Sequence, residues 1–167
     1  MSLVTMKEST GDSGEHYVTG QLMTENIFIA KLFGGKTPSF DVFAIINDEN
    51  NPCPLLIQVK STKKVKRRYL KNSINTNVPD KTIKELAAMP IPTYVAGYDL
   101  VDHILYIAPV FSGKEHYSSI PLKHKLSQNN NAETIKELNI LKGDVENYYK
   151  NKRVDLKQYK QSYISQL

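Results

Sequence analysis

Two β-prone runs constrain this chain most: Ser39-Phe40-Asp41-Val42-Phe43-Ala44-Ile45-Ile46 and Leu55-Leu56-Ile57-Gln58-Val59-Lys60, joined by the polar loop Asp48 to Pro54. Side chains alternate across a strand, so Gln58 and Lys60 share one face while Ile57 and Val59 share the other. The first run is apolar on both faces apart from Asp41, which predicts a central strand covered by helices. An unpaired buried carboxylate is costly, so Asp41 needs a partner. In an antiparallel hairpin, residues directly opposite one another point to the same side. Pairing Asp41 with either Lys60 or Gln58 therefore gathers three polar side chains on one face, and a slip of one residue scatters them.

The chain that carries this hairpin has 167 residues, enough for one domain with a real core (residues 1–167). Its single cysteine, Cys53, forms no internal disulfide, which fits a reducing, cytoplasmic setting. No apolar run approaches the roughly 18 residues that span a bilayer, and the N-terminal segment lacks a signal-peptide pattern, so a membrane role is not expected. The net charge is +5, but seven basic side chains and no acidic one fall between Lys60 and Asn72. The rest of the chain holds 15 basic and 17 acidic residues, so the basicity is one patch. Lys63, Lys64, Lys66, Arg67 and Arg68 form either a solvated basic loop or a grip on a phosphate backbone.

Around the hairpin, Val18, Leu22 and Glu25 recur at helical spacing and predict a helix over 13–25. Glu15 falls on its inward face, either as the third residue of a capping box begun by Asp12 or as part of a site. Strands are expected over 27–33, ended by Gly34-Gly35, and over 40–47 and 55–61; 72–78 reads as polar and irregular. Pro79-Asp80 starts a helix with Ile83, Leu86 and Ala87 on its apolar stripe, and strands follow over 93–100 and 103–110. Residues 132–141 read as a helix stopped by Gly143, followed by a tail of tyrosines interleaved with basic residues. Such a tail suits a helix that packs its tyrosines on the domain, or stacking on nucleic acid. The order predicts an α+β fold, a mixed central sheet flanked by helices, with a core over 12–110 and a C-terminal extension over 111–167.

Divalent-metal nucleases use oxygen ligands for Mg²⁺ or Mn²⁺ and a cation beside the phosphate. Asp41 and the amide oxygen of Gln58 can ligate, the carbonyl of Val59 lies between them, and Lys60 can act at the phosphate. On these residues the chain resembles the PD-(D/E)XK nuclease superfamily, the restriction-endonuclease-like fold. Asp41 matches the aspartate opening one strand, Gln58 stands where that signature has an acid, Lys60 matches its lysine, and Glu15 matches the helical acid. Phe40 stands where the signature has proline, with Pro38 further upstream. The resemblance covers residues 12–110 and implies a metal-dependent endonuclease acting on DNA, with Asp41, Gln58, Val59 and Glu15 at the ion. The glutamine equally fits a nuclease fold retained as a binding module without catalysis. A third alternative is a small α+β protein in which Asp41 and Lys60 are only a buried ion pair. Enzymes that cut both strands favour a two-fold homodimer.

Overall fold

The computed structural model describes residues 3–33, 39–63, 65–68, 71–110, 117–126 and 130–164. Helix α1 (Leu3–Leu22) and a 3₁₀ turn (Thr24–Asn26) precede strands β1 (Phe28–Leu32), β2 (Val42–Ile46) and β3 (Pro54–Thr62). Strands β4 (Val65–Arg68) and β5 (Lys71–Val78), helix α2 (Asp80–Ala87), and strands β6 (Thr93–Asp99), β7 (Ile104–Pro109) and β8 (Tyr117–Pro121) follow, and α3 (Asn131–Ile164) closes the chain. The main sheet has the order β1-β2-β3-β6-β7. Its β3–β6 pair is parallel and the other pairs are antiparallel, so the fold is the expected α+β architecture on a mixed sheet. A second antiparallel sheet has the order β4-β5-β8.

Alternation along the strands sorts the apolar residues into two cores. Val42, Ala44, Ile57, Val59, Tyr94 and Ala96 face α1 and α3, which contribute Val18, Leu22, Leu138, Leu141 and Val145. On the opposite face Val95, Tyr106 and Ala108 pack with Ile74, Val78 and Ile120 of the second sheet and Ile83 of α2. The sheets meet closely at Gly97, where a Cβ would lie 2.9 Å from Ile74 Cγ2 and 3.1 Å from Thr76 Cγ2.

Several boundaries differ from the sequence-based expectation, each for a visible reason. Helix α1 runs through Gly11 to Gly14 instead of starting there, so Asp12 lies inside the helix and the capping box for Glu15 does not form. Gly14 is needed for approach: a Cβ there would collide with Ser61 Oγ on β3. Helix α3 likewise continues through Gly143, where a Cβ would meet nothing, so neither a stop nor a separate tail helix forms. Strand β2 is covered by a helix on one face only. Val42, Ala44 and Ile46 are buried, whereas Phe43 and Ile45 are half-buried because the second sheet lies over β3, β6 and β7. The segment expected to be irregular, 72–78, falls within β5, and the basic stretch contains β4 instead of a loop. The Gly34-Gly35 stop lies outside the described residues.

Candidate active site at the start of β2 and the end of β3

The pairing of β2 with β3 decides the site. The described ladder begins with Val42 opposite Ile57. Asp41 N–H donates to Ile57 O at 2.9 Å, one position out of that register, and Phe33 N–H donates to Asp41 O at 2.9 Å. Gln58 and Lys60 alternate onto one face of β3, and the Gln58 amide meets the Asp41 carboxylate.

Both described donors to the Asp41 carboxylate meet one oxygen. Gln58 Nε2 and the Val59 N–H, the latter at 2.7 Å, donate to Oδ2. Gln58 Nε2 also lies 3.3 Å from Val59 O, so the amide spans the carboxylate and the neighbouring peptide. Gln58 is 6% exposed. Burial raises the Asp41 pKa, against the opposing pull of the Val59 N–H and the Lys60 charge.

Glu15 reaches the same cluster from α1. Burial pushes its pKa up, the Asp41 and Asp12 charges push further, and His16 and Lys60 oppose them. Glu15, Asp41 and Lys60 thus sit within electrostatic reach of one another. The neighbouring His16 is exposed.

Braces that sequence reasoning missed hold these groups. Ser39, 4% exposed, donates to Glu85 Oε2 of α2 and ties the segment before Asp41 to that helix. Tyr17 stacks on Tyr98 with ring centroids 4.4 Å apart and donates to His103 O at 2.8 Å, while Tyr98 Oη and His103 Nδ1 are 2.7 Å apart. This fastens α1, and with it Glu15, to the β6–β7 turn. Asp99 Oδ1 accepts the Val101 and Asp102 N–H groups in that turn, at 2.8 and 3.3 Å. Long-range polar pairs of this kind leave no local signal; only the Asp99-to-Asp102 turn was visible in the sequence.

Of the predicted phosphate-binding residues, Lys63 is exposed directly after β3, Lys66, Arg67 and Arg68 lie on β4, and Lys64 lies outside the described residues. No group of three or more His, Cys, Asp or Glu side chains is placed to hold a metal among the described residues, so any ion here would need the amide and carbonyl oxygens as well. Cavities of about 130 and 400 Å³ lie where β6, β7 and α3 meet, and none of their lining residues belongs to the cluster.

Together these features define an α+β chain with a carboxylate, amide and lysine cluster at the end of a strand hairpin. No family model matches the chain, and no curated protein does. Among solved structures it is similar to the bacterial homing endonuclease I-Ssp6803I, at 16% identity and a TM-score of 0.43, over 74% of this chain and 79% of that one. No described helix is long and apolar enough to cross a membrane.

Proposed function

We propose that this chain is a metal-dependent endonuclease that hydrolyses phosphodiester bonds in DNA in the cytoplasm. The observation that carries the reading is the contact of the Gln58 amide with the Asp41 carboxylate, with Lys60 and Glu15 within electrostatic reach of that carboxylate. A hard divalent cation, Mg²⁺ or Mn²⁺, fits this set, because it relieves the repulsion between two partly buried carboxylates and takes oxygen ligands. Asp41, Glu15, the Val59 carbonyl and the Gln58 amide oxygen would hold it, the amide turned over from its present orientation. When bound, the ion supplies an activated water and neutralises charge at phosphorus. Lys60 balances the negative charge that develops on the phosphate oxygens. Glu15, with its raised pKa, is suited to take a proton from the attacking water. Cutting both strands would use two copies of the site, which a two-fold homodimer supplies.

The test is cleavage of duplex DNA with Mg²⁺ or Mn²⁺ by the wild type and by Lys60→Ala. The expected result is metal-dependent cutting that falls by about 10²–10³-fold in the variant, the range for removing one charge-stabilising group. Pure protein that cuts no duplex, branched or single-stranded DNA would overturn the proposal. One observation favours a second reading, a non-catalytic DNA-binding module: the Gln58 N–H already satisfies Asp41 without a cation. Salt-dependent DNA binding that is indifferent to EDTA and free of cleavage would select it.

A further inference from the structure

Asp144, Asn147, Tyr148 and Asn151 recur at helical spacing and share one side of α3. The adjoining side of the helix is occupied by the core contacts of Leu138, Leu141 and Val145, and Tyr149 fixes the helix by donating to Pro54 O at 2.8 Å. The polar row therefore meets the start of β6 and the end of β7. There Tyr94 pairs with Pro109, and Val110 N–H donates to Thr93 O at 2.8 Å. The cavity of about 400 Å³ lies between this pair of strands and the helix. Pro92, Pro109, Val110 and the Tyr148 ring form its apolar walls, and Tyr94, Asp144, Asn147 and Asn151 supply polar groups. A largely apolar hollow of this size with a few polar groups is the form of a small-molecule site.

The polar groups decide the ligand. Asp144 is the only charged residue among the described lining, and no described cation pairs with it. Lys123, His124 and Lys125 belong with Glu137 to the smaller cavity, which shares Tyr94, Pro109 and Asp144 with the larger one. Burial and the Asp144 charge both push the Tyr94 pKa up, so its hydroxyl stays neutral. That oxygen can accept a hydrogen bond, as can the amide oxygens of Asn147 and Asn151. Tyr148 already takes a cation on its ring, with Lys152 Nζ 4.8 Å from the centroid. A carboxylate, neutral acceptors and an aromatic wall match a positively charged N–H group carried on an apolar body.

We propose that this cavity binds a small organic cation, an ammonium or amidinium group on a flat apolar body. The charged N–H groups donate to Asp144 and to the neutral acceptors beside it, and the body lies between the Tyr148 ring and the proline walls. The site shares no residue with the Asp41 cluster, so it stands or falls independently of the nuclease reading.

The experiment is titration of the full chain with benzamidine and with its neutral counterpart benzamide, followed by backbone amide NMR shifts. Benzamidine is expected to bind saturably, with the largest shifts at Tyr94, Asp144 and Tyr148, and more tightly than benzamide by about 10-fold, the low end for a hydrogen bond to a charged group. Asp144→Asn, at an exposed position, should erase that difference. Tyr148→Leu, which keeps an apolar side chain and removes the ring, should weaken benzamidine by about 3-fold, as for a surface cation–π contact. Thermal melting checks that each variant is folded, and the wild-type comparison of the two probes can overturn the inference alone. Equal binding of the two probes, no saturable shift at millimolar concentration, shifts centred elsewhere on the chain, or a benzamidine preference kept in Asp144→Asn would each overturn it. A glycine-arginine-glycine peptide that bound more tightly than benzamidine, with the same dependence on Asp144, would assign the cavity to a protein's arginine and overturn the small-ligand reading.

Discussion

Gln58 governs the chemistry of the cluster because it is a neutral donor beside a buried acid. Its amide N–H and the Val59 N–H both stabilise the Asp41 carboxylate, which burial otherwise disfavours. Replacing it by glutamate sets two carboxylates against each other and removes a donor. Gln58→Glu is therefore expected to lower the melting temperature in EDTA by about 3–6 °C, equivalent to ~1–2 kcal/mol in a chain of this size. On the proposed metal-dependent reading, Mg²⁺ should restore most of that loss by binding between the two acids. A melting temperature unchanged in EDTA would show that residue 58 does not face Asp41. The meeting of Asp41 with Gln58 was legible in the sequence because two neighbouring strands bring the polar residues of their ends together. The tie between Ser39 and Glu85 was not, because nothing near either residue announces a partner 46 positions away.

At the scale of elements, glycines reveal what local reading cannot weigh. A glycine in a helical stretch reads as a boundary, yet Gly14 and Gly143 both lie inside helices, the first in close contact with β3 and the second open to space. Gly97 belongs to neither case: it sits between β-branched Ile74 and Thr76, whose side chains are stiff. Gly97→Ala should destabilise the chain by ~1–3 kcal/mol through overpacking. Gly143→Ala should stabilise it by ~0.5–1 kcal/mol, because alanine suits a helix interior and meets no obstacle. Urea unfolding of both variants checks the opposite signs; a Gly97→Ala chain no less stable than the wild type would contradict the packing described for Gly97. Helix α3 is held at the sheet by Tyr149, whose hydroxyl donates to Pro54 O at 2.8 Å and whose pKa is pushed up to about 12, chiefly by burial. Tyr149→Phe should cost ~1 kcal/mol in the same assay. Strand β5 escaped recognition because its asparagines disfavour strands in isolation; its inward Ile74, Thr76 and Val78 show the period of two only once a covering sheet is known.

For the whole molecule, the cluster links folding to pH and, on the proposed function, to cation binding. Glu15 and Asp41 have pKa values raised above 4.5 and 3.8, their ordinary values. A group with a raised folded pKa favours the fold most fully below its unfolded pKa, and that contribution is lost as pH rises through the folded value. In EDTA, the wild type should therefore lose stability relative to Glu15→Gln/Asp41→Asn as pH rises from about 4 through the raised values, by at most ~1.4 kcal/mol per unit for each group. A cation that binds the ionised carboxylates adds stability above that window, about 2.7 kcal/mol at a concentration 100 times its dissociation constant. Saturating Mg²⁺ should consequently flatten or reverse the decline in the wild type and leave the double variant unchanged. Paired melting curves at pH 4 to 8, with EDTA and with Mg²⁺, measure this without any substrate. A wild-type curve that declines identically in both would show that these carboxylates do not hold the ion, and the metal-dependent reading of the site would fall with it.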